Sequence, residues 1–194
     1  MQYPLQMKFK LLALATQIYV TDADDAPVMY IKQKMLKLKE HIEVFRDSTQ
    51  QQKLFDIRAD RVIDFSANYS FSDAEGSDWG AVRRKGMKSL WKAHYEIMQD
   101  GQIDMVLQEE KPWKKILEGL LGEIPVVGLV AVYLLNPSYV VARPDGTLLL
   151  RITKKASFME RRFEIEQLTE IPADDQLRSI LSMFMVALLE RNRG

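Results

Sequence analysis

The sequence predicts a mainly β fold: a closed twelve-stranded antiparallel β-barrel wrapped around a hydrophobic C-terminal α-helix, with a helical insertion near 111–135. One domain covers 1–194. Two observations lead there. A short strand–basic–loop–strand pattern recurs along the chain. The segment from Asp174 to Arg193 reads as a helix whose middle has no polar face to show to water.

The repeat is an apolar residue, basic residues, a loop, and then apolar-x-apolar. It reads Ile31-Lys32-Gln33-Lys34 with Ile42-Glu43-Val44, Val82-Arg83-Arg84-Lys85 with Tyr95-Glu96-Ile97, and Ile152-Thr153-Lys154-Lys155 with Phe163-Glu164-Ile165. Weaker copies are Met7 to Lys10 with Ile18-Tyr19-Val20, and Ile57 to Asp60 with Tyr69-Ser70-Phe71. The sixth pair, Ile103 to Leu107 with Pro137 to Val141, is split by a long insertion. Between units lie Thr21 to Pro27, Arg46 to Gln52, Ser72 to Asp78, Met98 to Gln102 and Arg143 to Gly146. Their Asp, Gly and Pro content is hairpin chemistry. Pattern alone leaves a sandwich and a barrel open.

The C-terminal helix separates them. Asp174-Asp175 open it and Arg191 and Arg193 close it, as the macrodipole favours. Ile180 to Leu189 is apolar all round apart from Ser182, so it requires enclosure, and a barrel provides it. A helix of that kind fills the lumen and leaves no room for a lipocalin-like ligand. In the insertion, Pro112 suits a first helical turn, and Trp113, Ile116, Leu117, Leu120 and Leu121 follow a helical stripe. Such a helix either caps one barrel mouth or rests on lipid.

These features together resemble the tubby C-terminal-like superfamily, and within it the bacterial LURP-one-related branch. The residues that carry the resemblance are the repeated units, Asn136-Pro137-Ser138-Tyr139, Arg84-Lys85-Gly86-Met87-Lys88-Ser89-Leu90-Trp91 and the C-terminal helix. The resemblance implies a closed twelve-stranded barrel around a C-terminal helix and little about activity. Relatives include phosphoinositide-binding tubby domains and, more distantly, the phospholipid scramblases. The tubby phosphate-binding Lys/Arg pair does not map onto particular positions of this chain.

Composition narrows the chemistry. With 47% hydrophobic and 28% charged residues the chain can build one core and is not of disordered type. The absence of cysteine excludes disulfides, zinc–thiolate sites and thiol nucleophiles. His41 and His94 each stand two residues before a strand Glu, but the third copy reads Arg162-Phe163-Glu164, so solvent-face ion pairs explain all three better than a metal site. The acidic turns Asp22 to Asp25 and Asp73 to Asp78 lack the Glu of a calcium loop, with Gln33 and Arg84 in its place. No nucleophile elbow, phosphate loop or dinucleotide fingerprint occurs. No enzyme activity, cofactor or metal is expected. Met7 to Ala15 imitates a secretory signal, but its apolar core is too short. Neither Ile124 to Leu135 nor Ile180 to Leu189 spans a bilayer as a helix, and a cytoplasmic protein is expected.

Charge layout points further. The chain carries 27 basic and 27 acidic residues, which gives no reason to expect a nucleic-acid partner. In an up-and-down barrel the between-unit turns share one end. With the helix lead-in 169–175 they hold 12 acids and 2 bases, a net of −10. The within-unit loops and the tail hold 19 bases and 9 acids, a net of +10. Lys34, Lys37 and Lys39, then Arg84, Lys85, Lys88, Trp91 and Lys92, then Trp113, Lys114 and Lys115 fall at that basic end, interleaved as anionic head groups require. The expected role is a barrel module attaching peripherally to anionic membrane lipid or another polyanion. A protein-interaction scaffold is the alternative, and scramblase-like lipid translocation a weaker one.

Overall fold

A computed structural model describes residues 1–12, 15–34, 41–60, 67–84, 94–110, 138–155 and 161–191. The insertion near 111–135 lies outside the described residues. Twelve strands are described: β1 Leu5–Leu12, β2 Ala15–Thr21, β3 Pro27–Lys34, β4 His41–Phe45, β5 Lys53–Ala59, β6 Asn68–Asp73, β7 Asp78–Arg84, β8 His94–Gln99, β9 Gln102–Glu109, β10 Ser138–Ala142, β11 Leu148–Lys155 and β12 Arg161–Gln167. Each pairs antiparallel with its sequence neighbours, and β1 pairs with β12 to close the barrel. Closure leaves no sheet edge exposed. One helix, α1 (Ala173–Arg191), follows β12.

Alternation dictates what lines the lumen. Cross-strand rows of apolar side chains run round the inner face, such as Phe9–Ile18–Ile31–Val44–Phe55 and Tyr95–Leu107–Val141–Leu150. Residues of both rows are buried, with Ile18, Ile31, Val44, Val141 and Leu150 at 0% exposure. Into this lining α1 inserts Ile180, Leu181, Met183, Phe184, Met185 and Leu188, all buried. The burial of every face of this segment explains a composition that no amphipathic surface helix would carry. Ser182, also buried, donates its hydroxyl to the Arg178 carbonyl one turn back at 2.8 Å, which removes the cost of an unpaired polar group.

The five between-unit turns form one end of the barrel, and all but one share one design. Four place the fourth turn residue in the left-handed region: Asp25, Gln50, Gly76 and Gly146. In each, that residue donates its N–H back to the first, as Gly76 does to Asp73 at 3.1 Å. The fifth is a two-residue Asp100–Gly101 turn, both residues with positive φ, the geometry that matches strand twist. A bulge accompanies each of the five hairpins.

Candidate functional site

The basic end begins where the strands leave the turns behind. Lys34 ends β3 and Arg84 ends β7, both at the end opposite the turns. Those strands are four steps apart in a ring of twelve, so the two positions stand about a third of the way round the rim from each other. Arg84 is half-buried and engaged by a neighbour. The other residues of the expected site, Lys37, Lys39, Lys85, Lys88, Trp91, Lys92, Trp113, Lys114 and Lys115, lie outside the described residues.

The opposite end is described throughout, and it is the acidic one. Topology gathers the turns 21–27, 46–52, 72–78, 98–102 and 143–146 and the lead-in 169–175 there, with their net charge of −10. Much of this acid serves the turns themselves. The Asp73 carboxylate accepts from the Glu75 and Ser77 N–H groups at 3.1 and 2.7 Å and from the Trp79 indole N–H at 3.1 Å. Asp22 accepts from Asp24 and Ala26 at 3.1 and 3.0 Å, and Asp145 from Thr147 at 2.8 Å. At Asp73 partial desolvation opposes ionisation, but the Ser77 and Trp79 donors outweigh it and hold the carboxyl below its ordinary value. These carboxylates thus cap the backbone N–H groups of their own turns. Among the described residues no group of three or more acids and histidines is placed to hold a metal ion.

At the same end lies a charge cluster that sequence reading misses. Arg178 of α1, 2% exposed, donates through Nη1 to Asp104 at 2.7 Å and through Nε to the Trp79 carbonyl at 3.1 Å. It also lies 3.3 Å from Asp175. Arg143, from the β10–β11 turn, bridges Asp104 and Asp175. Two arginines and two aspartates thus join β9, a turn and the first two turns of α1. Gly80 makes room for them. A Cβ there would stand 2.1 Å from the Met98 carbonyl oxygen and 3.2 Å from Arg178 Cδ, and its φ of +94° suits only glycine. No local signal marks this cluster, because Arg143 is 39 residues from Asp104 and Arg178 is 74.

On the outer wall the strand acids pair across strands, a refinement of the i, i+2 pairs that the sequence suggests. Arg83 Nε meets Glu96, directly opposite it, at 2.9 Å. His41 turns to Asp56 at 2.5 Å, and Lys53 bridges Asp56 and Glu43 at 3.0 and 3.9 Å. Glu164 accepts from Lys155 at 2.6 Å and Gln6 at 3.1 Å. Arg151 forms a two-pronged pair with Glu110, both bonds at 3.0 Å. No helix among the described residues is long and apolar enough to cross a membrane.

No protein-family model, curated protein or solved structure matches this chain.

Proposed function

We propose that this chain is a non-enzymatic barrel module that attaches peripherally, on the cytoplasmic side, to anionic membrane lipid or another polyanion through its basic end. One observation carries the reading. A chain of zero net charge has −10 collected at the turn end, so the rest of it is +10, and the within-unit connections account for that excess. The helix dipole opposes this layout, with its positive N-terminus among the acids, but about half a charge at each end is small beside the side-chain separation. The resulting field orients the basic end towards a negative surface and is screened by salt. The resemblance to tubby-like and LURP-one-related domains is in keeping with such a role.

The test is co-sedimentation with neutral and anionic vesicles at low and high salt. Binding to anionic vesicles alone, lost at high salt and on charge reversal at Lys85, Lys88 and Lys92, is the expected result. Unchanged association in the triple reversal would sink the reading.

A scaffold role has its own support at the acidic end. Ile103, Leu148, Leu168 and Met1 are the exposed large apolar residues among those described, and all four lie there, at 41, 40, 37 and 48% exposure. Under that reading, affinity capture recovers a stoichiometric partner without lipid, and loses it when Ile103 and Leu148 are replaced by Ser.

A further inference from the structure

Charge on the outer wall is distributed unevenly, and register shows how. Over β4 to β10 the buried wall acids are met by cations, Glu96 by Arg83 of the neighbouring strand and Asp56 by Lys53 of its own strand. From β11 round through β12 and β1 to β3 the pattern changes. Lys155 stands opposite Arg162, Arg162 opposite Lys8, Lys8 opposite Tyr19, and Tyr19 opposite Tyr30. One residue pair nearer the basic end, Lys10, Gln17 and Lys32 form a second row. Among the described side chains, the outer face of these five strands carries six cations, Lys8, Lys10, Lys32, Arg151, Lys155 and Arg162, against two acids, Glu164 and Glu166, which meet Lys155 and Arg151.

Lys8 stands directly opposite Arg162, a placement that like charges disfavour. Lys8 and Lys32 form no ion pair among the described residues, and Lys10 and Lys32 are exposed. The Lys10 ammonium lies 5.2 Å above the Tyr19 ring, whose other neighbour is Tyr30, with centroids 4.9 Å apart. Tyrosine beside lysine is the pairing favoured at head-group depth. The row crosses five strands, about 19 Å, on a convex face that encloses no small anion but meets a broad one.

We propose that the wall formed by β11, β12, β1, β2 and β3 is the face that lies against an anionic lipid surface, so that the barrel docks tilted onto this side rather than upright on its basic end. The inference rests on the membrane reading above and gives it an orientation and new residues: Lys8, Lys10, Lys32, Arg162 and Tyr19. The rows abut the basic rim, since β3 and β11 both end there, so wall and rim form one continuous surface.

The experiment compares Lys8→Gln/Lys32→Gln with the Lys85, Lys88 and Lys92 reversal on phosphatidylcholine vesicles with and without phosphatidylserine. Loss of two surface lysines weakens vesicle binding about 30-fold. The melting temperature stays equal or rises, because the like-charge pair is relieved. If the wall variant binds as tightly as the parent while the rim variant does not, the tilted orientation is wrong and the rim reading stands. If the parent ignores anionic vesicles at low salt, both fall. If the parent binds an oligonucleotide and not vesicles, the lipid assignment of the wall is overturned.

Discussion

The two parts of α1 are held in the barrel by different physics. From Ile180 to Leu188 the grip is apolar and non-directional: the side chains are buried, and Ser182, the polar one among them, bonds back within the helix. At the first two turns the grip is ionic and directional. Arg178 and Asp175 meet Asp104 of β9 and Arg143 of a turn, with the Trp79 carbonyl as a third fixed point for Arg178. Burial supplies the driving force, and directed hydrogen bonds supply the register. The lesson is that a helix hydrophobic on all sides needs one polar anchor to have a single seat.

The largest effect should come from the apolar part. Phe184→Ala removes a fully buried ring from the lumen and should cost about 4 kcal/mol in urea unfolding. A cost under about 1 kcal/mol would mean that the lumen collapses onto the vacancy and that packing there is loose.

Next comes the ionic part. Asp104→Ala deprives both arginines of a shared partner and leaves Arg178, 2% exposed, short of counter-charge. The expected loss is about 3 kcal/mol, at the low end for a buried pair because Asp104 itself is a quarter exposed. Replacing the pair together, Asp104→Leu with Arg178→Met, should recover most of it, since both desolvation costs go at once. If the double variant unfolds as readily as the single one, the Trp79 carbonyl bond matters more than the charge pair.

The smallest effect concerns the turns that surround this anchor. Asp47, Asp73 and Asp145 are held below the ordinary 3.8, Asp47 chiefly by the Thr49 hydroxyl and Asp145 by the Thr147 N–H. A depressed carboxyl stabilises the fold at pH above its unfolded value. That contribution is lost as pH falls from about 3.8 through the folded-state value. Stability should therefore drop on acidification below pH 4, and Asp73→Asn should lower the neutral-pH plateau slightly while flattening that limb. An unchanged acid limb would show that other carboxylates govern it. The anchor and the turns thus differ in depth, and the pH profile reads the shallow one.

Much of the architecture was legible because its signals are local. All twelve strands lie on the alternating segments, and Asp-Gly at 100–101 and Gly146 mark turns whose backbone needs positive φ. The helix, read as Asp174 to Arg193, is described as Ala173–Arg191. The acidic end was legible too, since it is a count over turns. The outer wall was not. Lys155 and Arg162 belong to one local strand pair, but only the closure of β1 onto β12 sets Lys8 beside them. Likewise Glu96 meets Arg83, which stands opposite it on the neighbouring strand.

The sequence by itself determined which segments are strands, that the last helix must be enclosed, and that acid and base separate along the chain. These are statements about neighbours within a few residues, where periodicity and turn chemistry act. Tertiary structure alone decided that four charges from three distant segments anchor the helix, and that one wall collects cations. Those depend on register and on the few ångströms by which non-local groups approach, and Coulomb and hydrogen-bond energies are set at that range.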